Sequence, residues 1–541
     1  MKLPAKSNYI YYFLIMIIFI GIFARFYGLN SYLEGDEPLA IVSGIKLNLG
    51  SPYDPRLYMF EHPPVAKWII GIPSLFIQAD YAAAIGMPQQ MFAFCYFAPV
   101  KELYIPMRMI NALFGCIFVL FIFLTGKEIF SSKAGLWAAV LAAMSFDLIF
   151  YSRTLFFECI FLGLTSMAIY FYIRYLGSKT PNQKIFFILM TMAVLTLAIG
   201  TRAYNPLLII PILVISQLLI KRGKNNLMEN IGFLAMLSIS VFIFFNFIWS
   251  FGIASQARGW WGVESPFSIF QFSLHTILIE NIFRNSYLSL LSLALIAFGL
   301  YEMLKAGSGS KNSFDLQRIK KYLSSGDKSI FIIVALLIYL AGFGLTRYSS
   351  VRYQIPLVIP LFLLGGMYLQ KYTKRKKVLY AAIFLILVNL AFMAYTHPYY
   401  GEYQNFSLDK CGPYMITCST TNLQNHLPEL KEAMNYLDQN GSPPVMTNEF
   451  NLMVFYDGIS IPLAVNGETR CTQAEIDKLT KDVKYVVYWG VRTNQPDLRS
   501  DPYVCPYIRQ MPMELVKSLG NYTLPDADPE TLKVKIYKLN V

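Results

Sequence analysis

Charge is what this chain has little of. Only 15% of its 541 residues are Asp, Glu, Lys or Arg, against 55% hydrophobic and 16% aromatic, and the mean hydropathy is +0.44. A water-soluble protein has no use for so many apolar residues gathered into long runs, so an ordinary soluble enzyme is excluded. A small-residue cleavage site is also lacking after the first run, Ile10 to Tyr27, which follows Lys2 and Lys6 and carries Arg25 near its end. That run is expected to stay as a first transmembrane helix instead of leaving as a signal peptide. The net charge of +13 does not point to nucleic acid, because the basic residues stand in short blocks between apolar runs. Such blocks are topology signals.

The blocks alternate in one sense. Lys2/Lys6, Lys127/Lys133, Arg174/Lys179/Lys184, Lys221/Arg222/Lys224, the Lys305 to Lys328 segment and the Lys371 to Lys377 run read as cytoplasmic, while the intervening loops carry isolated arginines. The expected spans are 9–28, 104–126, 134–151, 154–173, 185–200, 205–220, 231–250, 286–304, 329–346, 353–370 and 378–396. With the amino terminus inside, the first loop (29–103) and everything beyond about 396 fall outside, in a multi-pass protein of the cytoplasmic (plasma) membrane.

Two stretches depart from that pattern. Within the first loop, Val65 to Phe76 and Met91 to Val100 are apolar but too short to span. They suit the interface, with Lys67 and Trp68 at headgroup level and Pro63, Pro64 and Pro73 setting starts and bends. Residues 398–541 turn polar and mixed: a helical phase over Leu427 to Leu437, a turn over Asp438 to Pro444, and strands at Pro444 to Met446, Val483 to Trp489 and Leu532 to Leu539. The division is therefore a transmembrane domain, 1–397, and an extracytoplasmic soluble α/β domain, 398–541. Four cysteines, Cys411, Cys418, Cys471 and Cys505, fall in the outer domain, which permits two disulfides; proximity favours Cys411 with Cys418.

The chemistry-bearing candidates gather on the outer side. Asp36 and Glu37 stand where the first helix has just emerged, although acidic residues before a proline also simply start helices. Glu61 and His62 precede a double proline and read equally as turn residues. Glu158 is expected more than one turn inside an apolar helix opened by Ser152 and Arg153, a depth at which a carboxylate is paired, shielded or functional. Arg153 is its nearest partner in sequence. Arg202, and the pairs Arg347-Tyr348 and Arg352-Tyr353, offer guanidinium forks to an anion at the membrane surface, or anchor helices there by snorkelling.

The order of several short pieces resembles a known family. Gly35-Asp-Glu-Pro, then Glu61-His-Pro-Pro-Val-Ala-Lys-Trp, then Arg108-Met-Ile-Asn-Ala-Leu, Ser152-Arg-Thr-Leu-Phe-Phe-Glu and Arg352-Tyr-Gln-Ile-Pro-Leu-Val-Ile-Pro are similar to stretches of the polyprenyl-phosphate-sugar-dependent glycosyltransferases. More narrowly, they resemble the protein O-mannosyltransferase and lipid A aminoarabinose transferase group (glycosyltransferase families 39 and 83). The resemblance covers residues 1 to about 400 and implies the GT-C fold, with about 11–13 transmembrane helices. It also implies a role for particular residues. The family's first-loop catalytic aspartate falls on Asp36, with Glu37 beside it and Glu158 as a further acidic residue. Glu61, His62, Lys67, Arg108, Arg153, Arg202, Arg347, Tyr348, Arg352 and Tyr353 are the substrate-binding candidates.

The activity implied is a hexosyl- or pentosyltransferase of the cell envelope. A sugar passes from a polyprenyl-phosphate donor to a hydroxyl of an acceptor lipid, protein or glycan on the outer side, with inversion. Membrane lipids are the remaining partner. No ligand spacing is diagnostic of a metal, so a divalent cation near His62 stays open. Two alternatives differ in class. An oligosaccharyltransferase would carry a Trp-Trp-Asp-Tyr-Gly type motif, and the tail holds only Tyr488-Trp489-Gly490. A transporter would show paired repeats with interrupted helices at mid-membrane, whereas the polar residues here gather at one surface.

Overall fold

The computed structural model describes residues 9–27, 29, 37–48, 64–77, 101–202, 208–221, 226–244, 326–344, 356–372, 430–447, 460–462, 483–489, 497–500, 504, 506–519 and 533–540. The chain divides into two compact units, one of Met1–Leu29, Phe60–Ile69 and Arg108–Tyr395, the other of Asn30–Met59, Ile70–Met107 and Thr396–Val541.

The first unit is a bundle of apolar helices. Its described members are α1 (Tyr9–Phe26), most of α4 (Lys101–Ile129), α5 (Ser132–Ala143), α6 (Phe146–Arg153), α7 (Glu158–Gly177), α8 (Pro181–Ile199), α9 (Ile209–Ile220), α10 (Leu227–Ile243), α11 (Ile330–Gly344) and α12 (Val358–Tyr372), with the start of α3 (Pro64–Gly71). Among the described residues α4, α7 and α8 are long and apolar enough to cross a membrane. At 1.5 Å per residue, α7 reaches about 30 Å, the thickness of a hydrocarbon core.

Helix starts follow local chemistry. Ser131 caps α5 by accepting the Ala134 N–H at 3.2 Å, and Thr180 does the same for Gln183 at the head of α8, where Pro181 fits the first turn. Close backbone approach explains the glycines of α4, α5 and α12. A Cβ on Gly126 would meet the Gly135 Cα at 2.8 Å, and one on Gly366 would run into the backbone of Ala134 and Ala138.

Ion pairs mark one end of this bundle. Arg174 meets Glu128 at 3.4 Å, and Glu229 lies between Lys184 (2.9 Å) and Lys221 (3.3 Å). Here the sequence blocks come together from α4, α7, α8, α9 and α10. Burial opposes the charged form of Glu229, yet the two lysines outweigh it and hold the carboxyl below its ordinary value. Arg108, Glu158 and Arg202 lie toward the opposite ends of α4, α7 and α8.

One expected span is broken. Residues 134–151 form two helices, not one, separated at Met144 and Ser145, where Ser145 turns extended (φ −67°, ψ 117°). The carbonyls left open by the break are taken by a side chain from α1: Arg25 donates from Nη1 to Ala143 O (2.8 Å) and Gly21 O (2.7 Å), and from Nη2 to Ala142 O (2.9 Å). A buried guanidinium thus serves as the C-terminal cap of α5. The expected spans 286–304 and 378–396 lie outside the described residues.

In the second unit, α2 (Glu37–Asn48) packs beside a 3-10 turn, Ile72–Leu75, that contains Pro73 and follows α3. The short first-loop segment is therefore a helix begun at a proline and bent at the next one. The carboxyl-terminal part is a five-stranded sheet in the order β2-β1-β3-β5-β4, formed by β1 (Val445–Thr447), β2 (Ser460–Pro462), β3 (Tyr485–Trp489), β4 (Met513–Leu519) and β5 (Val534–Leu539). β1 runs parallel to β2 and β3; β5 runs antiparallel to β3 and β4, with an irregularity between Leu515 and Lys517. Central β3 is buried on both faces. Val445, Tyr485 and Val487 pack on Leu430, Ala433 and Leu437 of the helix over 430–439, while Val486, Tyr488 and Tyr537 pack on Leu498 and Ile508. The helix ends in a left-handed turn at Gly441 (φ +85°) and Ser442 (φ +48°), which returns the Ser442 N–H to Leu437 O at 3.1 Å.

Candidate active site

Glu158 is the first residue of α7, not a residue more than one turn inside it. The chain leaves α6 after Arg153, runs extended through Thr154 (φ −103°, ψ 166°), and re-enters a helix after Phe157. A carboxylate in that place stands at the positive end of the α7 dipole.

Its partner is Arg202. The Glu158 Oε1 accepts from Arg202 Nη1 in a salt bridge whose side chains are 1% and 4% exposed. Of the readings open for Glu158, a pair with Arg153 does not occur: Arg153 Nε donates to Ala24 O at 2.7 Å, which ties the end of α6 to the end of α1. The physical reason is the break after Arg153. It interrupts the helix before Glu158, so nearness in sequence no longer means the same helical face. Glu158 Oε2 is buried and has no hydrogen-bond partner among the described residues. An unsatisfied buried carboxylate oxygen is costly and marks a place where a polar group is wanted.

Arg202 reaches Glu158 from the turn that closes α8. Gly200 N–H returns to Thr196 O at 3.0 Å, Thr201 Oγ1 donates to Ala198 O at 2.6 Å, and Arg202 follows. The same turn meets the first-loop helix, because Val65 N–H donates to Gly200 O at 2.9 Å. Thus α3 starts beside the turn that carries Arg202. On α3 Lys67 is buried and Trp68 is 41% exposed. Successive residues of a helix point about 100° apart, which separates them.

Arg108 also spends a guanidinium nitrogen on backbone, with Nη1 donating to Leu29 O at 2.8 Å just past the end of α1. Arg25, Arg108 and Arg153 therefore converge on the end of α1 and the helices around it. Asn111, one turn beyond Arg108, is fully buried and donates from Nδ2 to the carbonyls of Tyr151 (2.7 Å), Thr154 and Phe156 (3.0 Å). Neither Arg25 nor Asn111 stood out as a site residue in the sequence. An arginine inside an apolar run was the signal for the first, and the Arg-Met-Ile-Asn stretch for the second.

Glu37 opens α2 and is buried, in the other unit. Asp36, Glu61, His62, Arg347, Tyr348, Arg352 and Tyr353 lie outside the described residues, as do Cys411, Cys418, Cys471 and Cys505. Among the described residues no three His, Cys, Asp or Glu side chains stand together as a metal would need.

Comparison with known proteins bears on this geometry. The model of the dolichyl-phosphate-mannose-protein mannosyltransferase family matches residues 100–249, the stretch that holds Asn111, Glu158 and Arg202. No curated protein matches in sequence. In structure the chain is similar to ArnT from Cupriavidus metallidurans bound to undecaprenyl phosphate, with 14% identity over 98% of both chains and a TM-score of 0.55. The fold is GT-C. The apo state of the same ArnT matches over 97% of each chain, again at 14% identity and a TM-score of 0.55. The likeness to the Archaeoglobus fulgidus oligosaccharyltransferase is looser: 10% identity over 89% of this chain and 70% of that one, at a TM-score of 0.43. A GT-C fold makes the bundle that of a membrane protein and fits the apolar helices already described.

Proposed function

We propose that the protein is a membrane glycosyltransferase that moves a sugar from a polyprenyl-phosphate donor to an acceptor hydroxyl on the extracytoplasmic side, with inversion. The observation that carries this reading is the GT-C fold over nearly the whole chain, joined to a family match over the residues that build the Glu158–Arg202 pair. In that fold ArnT was solved with undecaprenyl phosphate bound, which supports a polyprenyl phosphate as the carrier here. The polyprenyl chain lies in the bilayer beside the bundle, in the plasma membrane. The amino terminus and the end of the bundle with Glu128, Arg174 and Glu229 face the cytoplasm. The end with Glu158 and Arg202, and the domain over 398–541, face outward.

The chemistry is a single displacement. The acceptor oxygen attacks the anomeric carbon, the bond from that carbon to the phosphate oxygen breaks, and the polyprenyl phosphate leaves with the electron pair. Asp36 takes the acceptor proton. Arg202, with Arg347 and Arg352, meets the charge that grows on the leaving phosphate, which is where fixed guanidinium groups lower the barrier more than they favour the ground state. Glu158 holds Arg202 in place through Oε1 and leaves Oε2 for a polar group of the substrate. One displacement inverts the anomeric centre, so a β-linked donor gives an α-linked product.

Asp36→Asn tests the base. The amide keeps the shape and loses the basic oxygen, so turnover falls by about 10² or more while the protein still folds. A purified Asp36→Asn protein with near-normal turnover removes Asp36 from this role.

A further inference from the structure

The N-cap residue of α7, Phe157, has no side-chain oxygen, so its side chain does not fix where the helix begins. Yet that beginning determines where the Glu158 carboxylate stands. Three bonds that hold the residues before it come from another helix. Asn111 on α4 donates to three carbonyls in a row along the connection between α6 and α7: Tyr151 in the last turn of α6, Thr154 in the extended stretch, and Phe156 two residues before Glu158. A single side-chain amide has two N–H donors, so it serves three acceptors only by sharing one of them, and this demands a fixed arrangement of the connection around it.

The same α4 face packs closely on the helices to either side of the connection. A Cβ on Gly115 would strike Ser152 Oγ, and one on Gly163 would stand 2.9 Å from Phe114 O, so glycines at both positions let α6 and α7 lie directly on α4. Ser152 Oγ lies 3.3 Å from Cys159 Sγ across the connection. Asn111 is fully buried and well inside the bundle, and it touches no part of the Glu158 side chain in any bond described.

We infer that Asn111 is a positioning residue for Glu158: by holding the carbonyls of Tyr151, Thr154 and Phe156 it sets where α7 begins and keeps the carboxylate in register with Arg202. The inference rests on the proposed role of Glu158 at the site. Asn111 acts through Glu158 and not on the donor, so its loss lowers turnover without weakening donor binding.

The test is a double-mutant cycle on the purified full-length protein, with steady-state consumption of a polyprenyl-phosphate sugar as the readout. Asn111→Ala should lower kcat by about 10-fold to 10²-fold, the size expected for a displaced catalytic group, with donor KM within about twofold of wild type. In the Glu158→Gln background the same change should lower kcat by less than about twofold. Asn111→Ser keeps one donor hydroxyl and should recover part of the loss; if Asn111→Ala does not fold, the cycle is run with Asn111→Ser, whose smaller loss should likewise disappear in the Glu158→Gln background. An equal loss in both backgrounds overturns the inference while leaving Glu158 in its role. A Glu158→Gln protein as active as wild type overturns the role of Glu158, and this inference with it.

Discussion

Glu158 at the head of one helix pairs with Arg202 just past the end of the next, and both side chains are almost wholly buried. Breaking such a pair strands a charge. Arg202→Ala is expected to cost about 3–5 kcal/mol of stability, because the Glu158 carboxylate keeps its desolvation penalty and loses its compensation. Replacing both, as Glu158→Gln with Arg202→Met, should restore most of that stability and none of the activity. Thermal unfolding in detergent separates the two effects. A single Arg202→Ala change that leaves Tm where it was contradicts the buried pair.

Arg25 carries a second structural expectation. Arg25→Leu removes the donors from Ala142 O and Ala143 O at the break between α5 and α6, and each buried carbonyl left unpaired costs about 1–3 kcal/mol. Lysine, a point charge on a flexible stem, cannot span both carbonyls as the planar fork does, so Arg25→Lys should recover only part of the loss. Equal stability of the lysine and arginine proteins would show that charge alone, and not the fork, closes the break.

The carboxyl-terminal sheet has its own pH signature. Tyr537 donates to Asp497 Oδ1 at 3.0 Å, and burial, with the nearby carboxylate adding to it, raises the phenol well above its ordinary value. In the unfolded chain a tyrosine ionises near pH ~10, whereas the folded protein still holds this proton, so above that pH the unfolded state binds fewer protons and gains. The contribution is whole below about pH 10 and shrinks as pH rises beyond it. Tyr537→Phe should flatten the alkaline limb of a stability profile. An unchanged limb would mean that another group sets it.

How far the sequence could be read differed between elements. α1, α4, α7 and α8 were legible because uninterrupted apolar runs of spanning length leave few other choices, and β1, β3 and β5 because short apolar runs sit between turn signals. The break at Met144 and Ser145 was not, since no proline or glycine marks it; the stabilising groups come from Arg25, far away in sequence. β2 and β4 were missed as well: β2 is three residues long, and β4 alternates charged and apolar residues around an irregular register. At the site, the ionisable residues near these helix ends were visible as a class, because charges are rare in such helices. Their partners were not. Glu158 was matched to Arg153 by nearness, and the turn between α6 and α7 sends Arg153 to Ala24 and leaves Glu158 to Arg202.

Donor consumption tests the central claim most directly. Purified protein is incubated with a panel of polyprenyl-phosphate sugars and an envelope extract as the source of acceptors, and both the intact donor and free polyprenyl phosphate are followed by mass spectrometry. The account predicts that at least one donor is lost with matching release of free polyprenyl phosphate, and that Asp36→Asn slows this by about 10² or more. A folded wild-type protein that leaves every donor intact, or loses donor at the same rate as Asp36→Asn, would contradict it.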